Sequence, residues 1–203
     1  MASEKTNENK TAHIVYWLLG TIALVGIIFT YWPQEDTRTK LRGNLKLSDG
    51  AMDVVNNYLR WTDEASGSNM DISHDFTADG LMKMADALSV LSKSVSNKIA
   101  KDAEPGIDTI KEVANLIVEN PQSSGHADML KKAFKASEEV LTLVQNYSFP
   151  KLKEEIKILN QKISAVKENE LMLEQKKEVI DTHLQIAVVL NRMTNEENKL
   201  KNK

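Results

Sequence analysis

The stretch from Lys151 to Glu197, KLKEEIKILNQKISAVKENELMLEQKKEVIDTHLQIAVVLNRMTNEE, contains neither Gly nor Pro and decides the fold class. Apolar residues recur through it every three or four positions, the period of an amphipathic helix. A heptad frame places Ile156, Ile163, Glu170, Lys177, Leu184 and Asn191 at a, and Leu152, Leu159, Val166, Leu173, Ile180, Ala187 and Thr194 at d. Nine of those thirteen positions are apolar, which predicts one long coiled-coil-like helix. At ~1.5 Å per residue it would run roughly 70 Å. Glu170 and Lys177 interrupt the seam near its middle, whereas Val179 to Leu190 is apolar on more than one face. The first half therefore reads as partner-facing where its stripe is not used internally, with Ile156, Leu159, Ile163 and Val166 as the docking residues, and the second half as the buried strut of a bundle. For the whole helix an intramolecular bundle core is favoured over self-association, because other amphipathic helices are available to cover it.

Upstream, the same period recurs. Ser48 is placed to cap a helix to about Ala65 that buries Ala51, Val55, Tyr58, Leu59 and Trp61. A second helix is predicted from about Thr77 to Asp102, with Leu81, Met84, Ala85, Leu88, Leu91, Val95 and Ile99 on one stripe. Pro105-Gly106 is expected to end or kink it, after which Ile107, Ile110, Val113, Ala114 and Ile117 carry the pattern to Glu119. A further helix spans about His126 to Tyr147, and Pro150 separates it from the last. No strand-period alternation of useful length competes. The fold class is thus all-α: an elongated bundle of four or five helices over residues 48–197, two of its arms long, followed by a Lys-rich tail at 198–203.

Before the bundle stands a different kind of segment. Ala12 to Trp32, AHIVYWLLGTIALVGIIFTYW, has 21 residues without Asp, Glu, Lys or Arg. As a helix it would cover roughly 30 Å, the thickness of a bilayer's hydrocarbon core. Tyr16 and Trp17 at one end and Tyr31 and Trp32 at the other suit the headgroup level, where amphipathic rings concentrate. Bulky Tyr31-Trp32-Pro33 offers no small-residue cleavage site. The expectation is a polar tail at 1–11, one uncleaved transmembrane helix at 12–32 and a linker at 33–47. Its plan is that of a single-pass signal anchor, which exports the C-terminal domain to the periplasmic or extracellular side. The count of Lys and Arg on the two flanks pulls the other way.

The sequence supplies little chemistry. With 26 Lys plus Arg against 29 Asp plus Glu, the net charge of −3 argues against a broad nucleic-acid surface. Absence of Cys removes disulfides, thiolate metal sites and thiol nucleophiles together. Asp71, His74 and Asp75 form the densest ligand-like cluster, but Asp-rich loops are usually caps and turns. His126 beside Asp128 reads as a helix start, and His183 beside Asp181 as a surface or half-buried imidazole. Ser164-Ala165-Val166-Lys167 matches a Ser-x-x-Lys pattern without the companion motifs of acyl-transfer enzymes. The six aromatic residues beyond the membrane segment, Tyr58, Trp61, Phe76, Phe134, Tyr147 and Phe149, are too few to suggest an aromatic-lined pocket. No catalytic residue, metal ligand or cofactor is assigned.

These observations lead to an expected function: a membrane-anchored, non-enzymatic helical scaffold or adaptor that binds or spaces a protein partner at the cell envelope. Its partners would be the lipid bilayer and another helical protein or a second copy of the chain, not nucleic acid. The alternative is a sensory helical-bundle domain that binds a small ligand and signals through a partner protein. In general plan alone that alternative resembles the four-helix ectodomains of bacterial receptors.

Overall fold

Amphipathic periodicity becomes six α-helices in the computed structural model, which describes residues 47–67, 73–123 and 125–201, with side chains as far as Thr194. They are α1 (Asp49–Gly67), α2 (His74–Val95), α3 (Asn97–Glu119), α4 (His126–Ser148), α5 (Lys153–Ala165) and α6 (Lys176–Lys201). Short 3-10 turns at Pro150–Leu152 and Met172–Gln175 precede α5 and α6. No strand occurs among the described residues. Neighbouring helices fold back on one another, and side-chain pairs join them across the turns. Trp61 stacks on Phe76, Lys111 pairs with Asp86 at 3.1 Å, Lys132 with Glu112 at 3.6 Å and Lys162 with Asp181 at 2.9 Å. The predicted membrane helix and most of the linker lie outside the described residues, and no described helix is long and apolar enough to cross a membrane.

Neither long arm predicted from sequence is straight. The first folds back at Ser96, nine residues before Pro105, and one residue makes the turn. Ser96 is extended at φ −170° and ψ 156°. Its backbone N–H donates to the Ser92 carbonyl and so closes α2, while its hydroxyl accepts from the Ile99 N–H at 3.1 Å and opens α3. A serine cap contributes about 1 kcal/mol by satisfying an N–H that the helix itself cannot. Ser92 and Ser94 donate their hydroxyls to the carbonyls of Ser89 and Leu91, so the serine run turns inward on the backbone just where α2 stops. Pro105 stays inside α3. The adjoining Gly106 matters for packing, since a Cβ there would meet Val140 Cγ2 at 2.8 Å and the Ala136 carbonyl oxygen at 3.2 Å on α4.

The second arm is broken as well, which corrects the expectation of one long C-terminal helix. After Ala165 the chain turns through residues 166–171 and returns as α6 against α5. The Gln175 side chain, buried in the turn, replaces the backbone partners that a helix would have supplied. Its Oε1 accepts from the Lys167 N–H at 2.8 Å, and its Nε2 donates to the carbonyls of Lys167 at 2.9 Å and Glu170 at 3.2 Å. Asn169 takes the left-handed φ of 66°, a conformation that Asn tolerates better than other side-chain-bearing residues. Its N–H donates to Asp128 Oδ1 on α4 at 3.0 Å, and Glu168 lies 3.7 Å from both Lys131 and Lys135 on that helix. The long helix gives way because these distant partners outweigh local propensity.

The apolar stripes meet in one continuous core. Val55, Leu81, Leu88, Ile110, Leu130, Leu141, Leu159 and Val189 are all fully buried, so every α-helix contributes. Each such side chain removed from water contributes roughly 1.5–3 kcal/mol. The chain enters this unit at Ser48, whose carbonyl accepts from Ala51 and Met52 at 2.9 and 3.1 Å. The turn at 166–171 lies at the opposite end, beside the first turn of α4.

Candidate functional site

Two features stand out from the helical frame: a buried polar cluster around His183, and an apolar turn held open to solvent. The cluster draws on four helices. Tyr58 and Trp61 lie three residues apart on α1, Phe76 on the first turn of α2, Phe134 on α4 and His183 on α6. The His183 ring meets Trp61 edge-on with centroids 4.7 Å apart and Phe134 edge-on at 4.9 Å, and Trp61 stacks on Phe76 at 4.9 Å. Gly80 makes room for the indole: a Cβ at that position would stand 2.2 Å from Trp61 Cζ2. Sequence reading placed His183 at the surface or half-buried, but it is 1% exposed. Four of the six soluble aromatic residues gather around it, which the small number of aromatics concealed.

One hydroxyl links Tyr58 to His183. Tyr58 Oη lies 3.0 Å from His183 Nδ1 and 3.3 Å from the His183 carbonyl oxygen. If the phenol donates to Nδ1, the imidazole proton sits on Nε2; if it donates to the carbonyl, Nδ1–H donates to the phenol oxygen. Among the described residues, buried His183 Nε2 and Trp61 Nε1 have no hydrogen-bond partner. Burial lowers the His183 pKa from 6.5 to about 3 and raises that of Tyr58 well above 10. Both groups are therefore neutral near pH 7. The arrangement latches α1 to α6, and neither group is poised to exchange a proton with solvent at that pH.

The second feature is the turn itself. Leu171 and Leu173 are 56% and 66% exposed on either side of half-buried Met172, on a backbone fixed by Gln175. Beside it, between α3 and α4, a cleft of about 370 Å³ is lined by Gly106, Thr109, Ala136, Lys132, Lys135 and Glu168. On the neighbouring α6, partial burial pushes the Asp181 carboxyl up, but hydrogen bonds from Lys177 at 2.7 Å and Lys162 at 2.9 Å hold it below its ordinary value.

Of the residues singled out from sequence, Ile156, Leu159, Ile163 and Val166 do come together, but on the inward face of the α5 limb. All four are buried in the chain's own core. They are thus corrected from a docking stripe to part of the bundle interior: once the arm folds at 166–171, its seam is satisfied by the same chain. The interface residues Tyr16, Trp17, Tyr31 and Trp32 lie outside the described residues, as does Asp71. His74 stacks edge-on against His126 with centroids 4.7 Å apart, and His126 Nε2 lies 2.9 Å from the Asn120 carbonyl. Among the described residues no group of three or more His, Asp or Glu is arranged to hold a metal ion. Ser164 donates to the Asn160 carbonyl, while Lys167 turns to Glu170, so the Ser-x-x-Lys pair is divided between two local contacts. No protein-family model, curated protein or solved structure matches the chain.

Proposed function

We propose that the chain is a membrane-anchored, non-enzymatic helical scaffold or adaptor that holds a helical protein partner at the cell envelope. The observation that carries this reading is the exposed pair Leu171 and Leu173 on a pinned turn, at the end of the bundle remote from Ser48. An apolar pair held out from the bundle on a short turn suits a groove on another protein. The uncharged stretch 12–32 supports anchoring, and its signal-anchor plan supports an exported bundle. The full chain and a Leu171→Asp/Leu173→Asp variant, each purified from membranes after crosslinking in cells, provide the test. A defined crosslinked partner should be lost from the variant while its thermal melting stays within a degree or two, since exposed substitutions rarely move stability by more than ~0.5 kcal/mol. Identical crosslinked species from both proteins would overturn the reading.

The cleft beside the turn favours a second reading, a sensory bundle with a small charged ligand between α3 and α4. It calls for a ligand-dependent rise in melting temperature that disappears in Lys132→Ala/Lys135→Ala.

A further inference from the structure

We propose that the turn at 166–171 is a hinge, and that the chain forms a domain-swapped dimer in which α6 of each copy packs into the bundle of the other. This goes beyond the scaffold reading and does not rest on it. Within residues 166–175, VKENELMLEQ, eight of the ten are strong helix formers: Lys167, Glu168, Glu170, Leu171, Met172, Leu173, Glu174 and Gln175. Neither Gly nor Pro occurs anywhere from Lys151 onward. Local preference for a straight α5–α6 helix thus opposes the fold's demand for a turn, a conflict that marks an element with two arrangements.

The turn is held largely by polar contacts, among them the Gln175 side chain, the Asn169 N–H to Asp128, the Lys167–Glu170 pair and the two 3.7 Å pairs of Glu168 with lysines, while Asn169 sits at a left-handed φ. Repulsion between Glu170 and Glu174, one turn apart in a straight helix, adds to them. Nothing in the core opposes the exchange. α6 fills its place through Val179, His183, Ile186, Val189 and Leu190, and a second copy presents the same place, with its own Tyr58 for the incoming His183. All buried contacts re-form across copies, so the two forms differ only at the hinge. Straightening also relieves Asn169 of its left-handed φ.

Because the natural chain has no Cys, single cysteines report this geometry cleanly. Two differently tagged full-length chains are co-expressed, one carrying Lys162→Cys and the other Asp181→Cys, and treated in mild detergent with a short bis-maleimide. Lys162 and Asp181 face each other across α5 and α6 at 2.9 Å. A swapped dimer joins the two chains covalently through this pair. A second mixture, Asp86→Cys with Lys111→Cys, probes α2 against α3, which stay within one copy. The expected result is covalent heterodimer from the first mixture and none from the second, with yield raised several-fold by Gln175→Ala and lowered several-fold by Asn169→Gly. A doubly substituted Lys162→Cys/Asp181→Cys chain that crosslinks internally while the first mixture gives no heterodimer overturns the proposal. Heterodimer at equal yield from both mixtures overturns it too, because that is association without exchange.

Discussion

The Tyr58 hydroxyl lies 3.0 Å from Nδ1 of His183, so a single hydroxyl joins the first helix of the bundle to the last across 125 positions of sequence. Neither residue is accessible to water, and the phenol is the imidazole's hydrogen-bond partner. The pair therefore links α1 and α6 through chemistry rather than shape alone.

Tyr58→Phe removes the hydroxyl but keeps the ring, and leaves both nitrogens of a buried imidazole unpaired. A loss of about 1–3 kcal/mol is expected. Urea denaturation of the full chain in detergent, followed by far-UV circular dichroism, measures it. An unchanged midpoint would show that the hydroxyl contributes nothing to the latch.

Acid should weaken the fold through His183. Its pKa is about 3 in the folded chain against 6.5 when unburied, so between those values the unfolded chain binds a proton that the folded chain does not. Stability from this group is complete above pH 6.5 and is lost as the pH falls toward 3, at up to about 1.4 kcal/mol per pH unit. Asp181, held below its ordinary 3.8, adds a loss of the same sign only in more acid solution. Denaturation midpoints across this range should slope for the natural chain and flatten between about pH 5 and 6.5 in His183→Gln. Parallel slopes for the two proteins would assign the acid sensitivity elsewhere.

Gly80→Ala sets a methyl group 2.2 Å from the Trp61 ring, whereas Gly50→Ala meets nothing within 4 Å. Overpacking costs about 1–3 kcal/mol and exceeds the ~1 kcal/mol that alanine returns in helix propensity. Gly80→Ala should lower the melting temperature, and Gly50→Ala should hold or raise it. Equal melting temperatures for the two variants would mean that the indole can move aside freely.

The stripes of α1 to α4 are legible in the sequence because they depend only on helical period. Val55, Leu81, Leu88, Ile110, Leu130 and Val144 lie in the core as that period requires. Chain reversals are another matter. Pro105 drew attention as the breaker, yet a proline can remain in a helix whose neighbours hold it, and Ser96 turns the chain with an ordinary cap that many serines could have made. The reversal at 166–171 did leave a trace, since Glu170 and Lys177 interrupt the heptad seam there. Its cause lies in Asp128, Lys131 and Lys135, about forty residues earlier on another helix, and no local window contains them. His183 was misread for a related reason: its neighbour Asp181 is half-exposed and bound to two lysines, while a two-residue step on a helix carries His183 to the opposite, buried face.

The distance between Ser48 and the 166–171 turn also fixes how the bundle responds to pulling. A load applied between those two points runs along the helix axes, so α1 is drawn lengthwise past α2 and α6 and all of its contacts are strained together. That is shear rather than peeling, the geometry in which helices part most slowly, and the Tyr58–His183 bond sits midway along the sliding face. Pulling from Ser48 and Lys201, which emerge at one end, would instead separate α1 from α6 contact by contact. The same fold is thus stiff in one direction and weak in the other, a difference set by the unfolding rate rather than by equilibrium stability.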